Sequence, residues 1–212
     1  MGIYRKIPLA RILKGRLLKI AELQDMILLE LSRRFDFVVH GGTAVWRIYG
    51  GKRFSVDVDI YHPEPGRIAE HFSKVFKVVR SRVTPSKVLY LRIVDQAVVE
   101  LEASPAFEEI HAIESDFWLV DGSSIVVKTL RPEDLVREKI RAFLNRKKAR
   151  DLYDIYYLLD FCKESVRSEL KKLLPELEEA PKDFPGLKEL ILIGRAPSFE
   201  TIVGKVRRFA QS

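Results

Sequence analysis

The sequence predicts an α/β fold, more specifically an α+β one, in which a mixed sheet with flanking helices precedes a helical C-terminal part. Two hairpins are predicted in the first part, because alternating apolar segments flank tight turns at 95–96 and 121–122. Beyond Thr129 the apolar residues recur at helical spacing instead of alternating. We therefore divide the chain into a core at 1–129, which includes a basic N-terminal helix, and a helical region at 130–212.

The elements of the core follow from the spacing of apolar residues and from the positions of glycine and proline. Helical spacing predicts the first helix, and the first twenty residues of the chain carry basic side chains and no acid. Those side chains indicate either a solvated face or an arm that follows a phosphate backbone. The predicted elements are a helix at 17–35, a strand at 37–39, a helix at 43–48, a strand at 56–61, a helix at 65–75, an extended segment at 77–83, and hairpin strands at 88–94, 97–103, 117–120 and 125–127.

The helical region shows apolar stripes separated by prolines. Strong periodicity predicts three helices, and weaker periodicity predicts two more near the C-terminus. Four prolines punctuate the tail, where they end or separate helices. The predicted helices are at 132–145, 149–161, 166–174, 187–193 and 199–209.

Composition limits the class of protein and the kind of partner. The formal net charge is +7 over 212 residues, which favours an anionic partner such as a nucleotide or a nucleic acid. The single cysteine, Cys162, excludes an intrachain disulfide and follows apolar residues, so we interpret it as a small core residue and not as a nucleophile. No apolar run reaches the length of a membrane span and no signal peptide is evident, so the cytoplasm is the simplest compartment.

Two carboxylates on the strand at 56–61 predict a metal site. Side chains alternate along a strand, so Asp57 and Asp59 project from one face while Val58 and Ile60 project from the other. Two carboxylates only about 7 Å apart repel each other unless a cation lies between them. Hard oxygen ligands at this spacing suit Mg²⁺, so the sequence predicts that Asp57 and Asp59 bind it.

A glycine turn precedes this strand. Gly41 and Gly42 follow a short apolar strand and precede Thr43, at the start of a short helix. Backbone N–H groups in such a turn bind phosphate oxygens, because no side chain prevents their close approach. The turn and the acidic strand together indicate a nucleotide–metal site, although each is common by itself.

A third carboxylate is predicted on the strand at 97–103. Glu100 and Glu102 share one face of this strand, opposite Val99 and Leu101. They are either solvated acids or a source of one further metal ligand or a general base. Alternation does not distinguish the two, because both side chains point the same way.

Two charged residues in the helical region fall on apolar faces. At 100° per residue, Lys139 lies within the apolar arc of its helix and Asp151 lies within that of the next helix. The same projection places Arg150 and Asp154 on the more polar side. A buried lysine needs an anion or a path to solvent, so Lys139 and Asp151 predict either an internal ion pair or a shared polar site.

Taken together, these motifs resemble a known family. Gly41-Gly42-Thr43-Ala44, Arg53-x-Ser55-x-Asp57-x-Asp59 and the segment from Glu138-Lys139 to Arg150-Asp151-x-x-Asp154 are similar to the AbiEii/AbiGii-type toxins of the nucleotidyltransferase superfamily, which occur in prokaryotic toxin–antitoxin systems. The resemblance runs from about Phe37 to Leu159 and leaves the last fifty residues unassigned.

The resemblance implies a mechanism in which Asp57 and Asp59 bind Mg²⁺ against the phosphates of an NTP. It assigns Gly41, Gly42 and Thr43 to phosphate oxygens, Lys139 to the charge of the triphosphate, and Asp151 to support of the site. Arg53 and Ser55 join the nucleotide-binding group through the same motif, and the catalytic set is Asp57, Asp59, Glu102, Lys139 and Asp151. An acceptor hydroxyl then attacks the α-phosphate and pyrophosphate leaves.

Three functions are compatible with these motifs. The resemblance favours transfer to RNA, at a tRNA 3′ end, by the toxin of a toxin–antitoxin system with a cognate antitoxin. A transferase of a protein or small-molecule acceptor is the second function. A module that binds a nucleotide or partner without chemistry is the third, and the retained inward charges of Lys139 and Asp151 argue against it.

Overall fold

The computed structural model describes residues 8–105, 110–162 and 166–211, and within these ranges seven strands form one sheet. The strands are β1 (Val38–His40), β2 (Val58–Tyr61), β3 (Val78–Val83), β4 (Leu89–Val94), β5 (Val98–Ser104), β6 (Ala112–Trp118) and β7 (Ser124–Leu130). Their order across the sheet is β3-β4-β5-β2-β1-β7-β6. The sheet is mixed, because β2 pairs in parallel with β5 but antiparallel with β1.

The helices of the core are α1 (Leu9–Ile12), α2 (Gly15–Arg34), α3 (Gly41–Arg47) and α4 (Pro65–Val75). Packing of α2 on β5 and of α4 on β3 and β4 covers one face of the sheet. The side chains beneath them are fully buried, because alternation turns every second residue of the strands toward the helices. Leu91, Leu101 and Ile60 are examples.

The helices of the C-terminal part are α5 (Pro132–Arg146), α6 (Ala149–Leu158), α7 (Arg167–Leu173), α8 (Leu187–Leu190) and α9 (Phe199–Gln211). Short 3₁₀ helices at Leu174–Leu177 and Phe184–Gly186 lie between α7 and α8. In this part α5 packs on α6 and α7, and α9 packs on the same two helices. The mixed α/β core and the helical C-terminal part that the sequence predicts are therefore confirmed.

The chain divides into two compact units. The first, the sheet unit, comprises residues 1–50 and 55–129, and the second, the helical unit, comprises 51–54 and 130–212. Backbone hydrogen bonds hold the short segment in the helical unit, because Phe54 N donates to the Leu190 carbonyl at 2.9 Å and Leu192 N donates to the Lys52 carbonyl at 2.8 Å.

Several predicted boundaries differ from the structure. The helix expected at 43–48 begins at Gly41, and the strand expected at 56–61 begins at Val58. The helix expected at 187–193 is only α8, because Ile191 turns into an isolated β-bridge with Arg53. Of the basic N-terminal side chains, Arg5 and Lys6 lie outside the described residues. Within the described ranges, no helix is both long enough and apolar enough to cross a membrane.

Candidate active site

Side-chain hydrogen bonds hold the loop that carries Asp57. The sequence predicts Asp57 inside a strand, but β2 begins one residue later, so the main-chain groups here are not satisfied by a sheet ladder. Gln24 Nε2 instead donates to the carbonyls of Ser55 and Val56, both at 2.9 Å. Thr43 Oγ1 donates to the carbonyl of Asp57. The position of Asp57 therefore depends on α2 and α3 and not on strand pairing.

Asp59 lies on β2 directly against the glycine turn. Gly41 has a φ of +67°, which is a left-handed conformation that glycine adopts without strain. A Cβ built on Gly41 would lie 2.7 Å from Asp59 Cγ and closer still to Oδ2. The turn is thus glycine for two reasons, the backbone angle and the space that the Asp59 carboxylate occupies.

Strand register distinguishes the two glutamates that alternation left open. Glu102 pairs with Asp59 across the parallel β2–β5 ladder, so their Cα atoms are neighbours on adjacent strands. Glu100 instead faces Arg92 of β4, with Glu100 Oε1 at 3.8 Å from Arg92 Nε. The structure therefore places Glu102, and not Glu100, beside Asp59.

The pKa of Glu102 is affected by its burial and by the neighbouring Asp59 carboxylate. Burial, followed by the charge of Asp59, raises the pKa of the Glu102 carboxyl above its ordinary value. Hydrogen bonds from Ser104 and Tyr90 act in the opposite direction without cancelling the effect. The two adjacent carboxylates form a local negative potential, and a bound cation would relieve it.

The carboxylate group fits a magnesium ion that also contacts a substrate. Among the described residues, no cluster of three or more His, Cys, Asp or Glu side chains forms a ready-made metal cage. Mg²⁺ is ordinarily held by one or two carboxylates together with substrate phosphates and water. Asp57 and Asp59 supply that number of hard oxygen ligands, and the Glu102 side chain lies on the strand paired with Asp59.

The remaining nucleotide-binding candidates of the sheet unit lie in the same place. Gly41, Gly42 and Thr43 form the first turn of α3, where the leading N–H groups have no partner within the helix. All three are buried, and the Thr43 hydroxyl is engaged with the Asp57 carbonyl. Ser55 is buried as well and lies on the loop that precedes Asp57.

The other candidates form a charged cluster in the helical unit. Lys139 Nζ lies 3.1 Å from Asp154 Oδ2 and 4.0 Å from Asp151 Oδ1, and its predicted burial is confirmed by an exposure of 6%. Arg53 donates to both oxygens of Asp154 at 2.9 and 2.8 Å. Asp151 in turn accepts two bonds from Arg146, each at 2.7 Å.

Asp154 is the residue of this cluster that the helical projection misplaced. The projection predicts it on the polar side of α6, but its side chain is 0% exposed and binds both Arg53 and Lys139. Burial alone would raise the pKa of Asp154, yet Arg53 and then Lys139 hold it below its ordinary value. A helical projection marks the polar side of an isolated helix, and it could not show that the 51–54 segment brings a guanidinium to that side.

The structure thus assembles the predicted residues as two groups. Gly41, Asp59 and Glu102 come together in the sheet unit, with Asp57 on the adjoining loop. Arg53, Lys139 and Asp151 come together in the helical unit, joined by Asp154. His40 has no role predicted from the sequence, but it pairs with Asp59 and its ring stacks on Tyr61 with the centroids 3.9 Å apart.

Comparison with known proteins adds a family and two structural relatives. The sequence profile of the family described as "Nucleotidyl transferase AbiEii toxin, Type IV TA system" matches residues 27–206. No protein of curated function matches the chain at a significant level of similarity.

Solved structures resemble the fold across nearly the whole chain. JHP933 from Helicobacter pylori is 19% identical, with a TM-score of 0.68 over 94% of this chain and 92% of that one. MenT4, a nucleotidyltransferase toxin from Mycobacterium tuberculosis H37Rv, is 17% identical, with a TM-score of 0.64 over 99% of this chain and 89% of that one. At these identities the likeness establishes the fold and confirms the nucleotidyltransferase-like architecture.

Proposed function

Because this chain belongs to the AbiEii family of nucleotidyltransferase toxins, we propose that it transfers an NMP from an NTP to a hydroxyl of RNA, at a tRNA 3′ end, with Mg²⁺ as the metal. The family implies an NTP substrate and an antitoxin partner. The net charge of +7 favours a polyanionic acceptor over a neutral one. The proposal rests mainly on one observation, the pairing of Asp59 with Glu102 beside the Gly41 turn.

In this proposal each candidate residue of the sheet unit has a separate role in nucleotidyl transfer. Asp57 and Asp59 would hold Mg²⁺, which would neutralise negative charge at the phosphates of the NTP. The N–H groups of Gly42 and Thr43 donate to phosphate oxygens. Glu102, which pairs with Asp59 on the neighbouring strand, accepts the proton of the acceptor hydroxyl.

The charged cluster of the helical unit carries the other residues that the family resemblance assigns to transfer. We assign Lys139 the role of supplying positive charge to the phosphates and Asp151 and Asp154 the role of orienting it, on the strength of their ion pairs. Arg53 then acts by holding Asp154, because both of its bonds to that carboxylate are made by buried atoms. Lys139→Met should lower transfer, whereas Lys171→Met on the exposed side of α7 should not.

Transfer is tested with labelled NTPs, Mg²⁺ and total cellular RNA and protein. We expect label in the RNA fraction, and we expect Asp57→Asn and Asp59→Asn each to reduce it by at least about 100-fold, as loss of a metal ligand does. Asp95→Asn is the matched control, because Asp95 is an exposed aspartate in the β4–β5 turn.

The outcome also separates the competing functions. Label in protein alone would contradict an RNA acceptor and support a protein acceptor. NTP binding without incorporation into any fraction would support a non-catalytic module. Incorporation that persists in Asp57→Asn would contradict the assigned metal site.

A further inference from the structure

In the described part of the chain, one face of the sheet is exposed at β3 and β4, beside the carboxylates. Leu89, Leu91 and Ile93 of β4 are fully buried on the face that the helices cover. Tyr90 and Arg92 alternate with them and therefore lie on the other face, where both are exposed. Tyr90 is 36% exposed, although it lies within a strand of the sheet.

Register places a row of side chains across this open face. Arg82 of β3 pairs with Tyr90 of β4, Tyr90 pairs with Glu102 of β5, and Glu102 pairs with Asp59 of β2. Burial and then the charge of Glu102 raise the pKa of the Tyr90 hydroxyl, as expected from their direct pairing. The row therefore connects the sheet edge with the carboxylates through directly paired residues.

A second row adds further positive charge at the same edge. Arg80 of β3 pairs with Arg92 of β4, and Arg92 pairs with Glu100 of β5. Both Arg80 and Arg82 are exposed, and among the described residues neither lies within ion-pair distance of a carboxylate. Within the described ranges, the contact of Arg92 with a carboxylate is the long one to Glu100, at 3.8 Å. Three guanidinium groups thus converge on an edge where the described part of the chain provides little compensating charge.

We propose that this arginine-lined face, formed by Arg80, Arg82, Arg92 and Tyr90, binds the single-stranded 3′ segment of the RNA acceptor and directs its terminal hydroxyl toward Glu102. The inference rests on the proposed function, since it locates the acceptor of the same site. From β2 to β3 the sheet spans three strand intervals, or roughly 14 Å, which accommodates a few nucleotides of single strand.

The chemistry of the face favours a single strand over other anions. Guanidinium groups bind phosphates through two parallel hydrogen bonds, and an exposed tyrosine ring offers a surface on which a base stacks. A duplex would offer its bases only as edges within a groove, so it would leave the ring of Tyr90 unused. The direct pairing of Tyr90 with Glu102 places the stacking surface next to the proposed general base.

Binding is tested with a short fluorescent single-stranded RNA of mixed sequence that has a free 3′ hydroxyl. The variant is Arg80→Gln/Arg82→Gln, and its matched control is Arg33→Gln/Arg34→Gln, which removes two exposed charges from α2 on the opposite, covered side of the sheet. Each protein is titrated with RNA by fluorescence anisotropy over a series of salt concentrations.

We expect the Arg80/Arg82 variant to bind RNA roughly tenfold more weakly near physiological salt. The slope of log K against log salt should fall in magnitude by about 1.4, because each phosphate contact on a single strand contributes about 0.7. The Arg33/Arg34 control should keep the wild-type slope. Arg80→Lys/Arg82→Lys should restore most of the salt dependence, because the charges are retained.

Three results would overturn the proposal. They are no RNA binding by the wild-type chain, equal losses in the variant and the control, and competition by polyglutamate that matches competition by RNA, which would indicate a site for acidic protein. Failure of this RNA-binding face can be distinguished from failure of the proposed transferase function. If Asp57→Asn abolishes RNA labelling while the Arg80/Arg82 variant labels and binds RNA normally, the transferase assignment stands and this face does not bind the acceptor.

Discussion

The Asp59 carboxylate occupies the space that the side chain of any residue other than glycine at position 41 would need. The Asp59 carboxyl carbon lies 2.7 Å from where a Cβ on Gly41 would be, and Gly41 has a φ of +67°. The glycine motif in the sequence predicts that phosphate approaches the backbone here. In the structure the same glycine also makes room for the predicted metal ligand.

Gly41→Ala should therefore inactivate the protein more than it unfolds it. The left-handed backbone costs about 1–2 kcal/mol for alanine, and the new methyl group must displace Asp59. We expect transfer to fall by at least about 100-fold, because a displacement of about 1 Å in a catalytic group has an effect of this size. Gly66→Ala is the control, since a Cβ there meets nothing within 4 Å. An active Gly41→Ala protein would contradict the assignment of Asp59.

Arg47 and Asp25 should form the most important ion pair for the stability of the sheet unit. Arg47 is 1% exposed, lies between the rings of Trp46 and Phe117, and donates through Nε to the Trp118 carbonyl at 2.7 Å. Its guanidinium also binds Asp25, whose second oxygen accepts a bond from the Val120 amide at 2.7 Å. The pair thereby joins α2 and α3 to the end of β6.

Asp25→Ala should lower the free energy of unfolding by about 3–5 kcal/mol, because it leaves a buried guanidinium without its counter-ion. The change is measured by urea denaturation. Glu70→Ala provides the comparison, because the Glu70–Lys74 pair is exposed on α4, where solvent screens it, so its loss should change the free energy of unfolding little. Similar losses in both variants would show that Arg47 finds another partner or reaches water.

Asp154 should make the helical unit sensitive to acid. Its pKa is held below the ordinary value of 3.8 by Arg53 and Lys139 against the opposing effect of burial. A carboxylate with a lowered pKa in the folded state stabilises the fold above its unfolded pKa, and that contribution is lost as pH falls through the folded value. We therefore expect the stability of the wild-type protein to decrease below about pH 4.

Asp154→Asn should lower stability at neutral pH and flatten this acid limb. Asparagine keeps the size of the side chain but leaves Arg53 and Lys139 without a compensating charge. Thermal unfolding from pH 3 to pH 7 measures both effects. Asp95→Asn, at an exposed turn, should change neither, and an unaltered acid limb in Asp154→Asn would assign the effect to another carboxylate.

Cys162 should be chemically inert. Burial, followed by the charge of Glu133, raises the pKa of its thiol to about 12. The reactive thiolate is then on the order of one part in ten thousand at pH 8, so alkylation by iodoacetamide should be far slower than for a free thiol. Cys162→Ser should retain full transfer activity. Rapid labelling of the folded protein, at the rate seen in urea, would contradict this prediction.

Local sequence patterns predicted the burial of a side chain correctly where that burial depends only on the helix or strand that carries it. Helical periodicity identified Lys139 and Asp151 as inward charges, and both are buried. Alternation placed the acids of β5 on one face. The same local reasoning failed for Asp154, because the residue that makes its burial possible, Arg53, is distant in sequence and reaches α6 from the 51–54 segment.

The register of the strands could not be predicted from the sequence, for a similar reason. Alternation has a period of two, so Glu100 and Glu102 are equivalent until a partner strand is aligned beside them. The parallel pairing of β2 with β5 sets Glu102 against Asp59, and the antiparallel pairing of β4 with β5 sets Tyr90 and Arg92 against Glu102 and Glu100. The arginine-lined face exists only because of these pairings.

The class of fold, the family resemblance, the Gly41–Asp59 motif and the inward charges of α5 and α6 could all be predicted from spacings along single segments. Three relationships appeared only with the folded chain: Glu102 is the neighbour of Asp59, Arg53 and Lys139 share Asp154, and Arg47 is buried with Asp25. These relationships join residues far apart in the chain. They are selected by strand register and by the need to pair every buried charge, neither of which a local pattern contains.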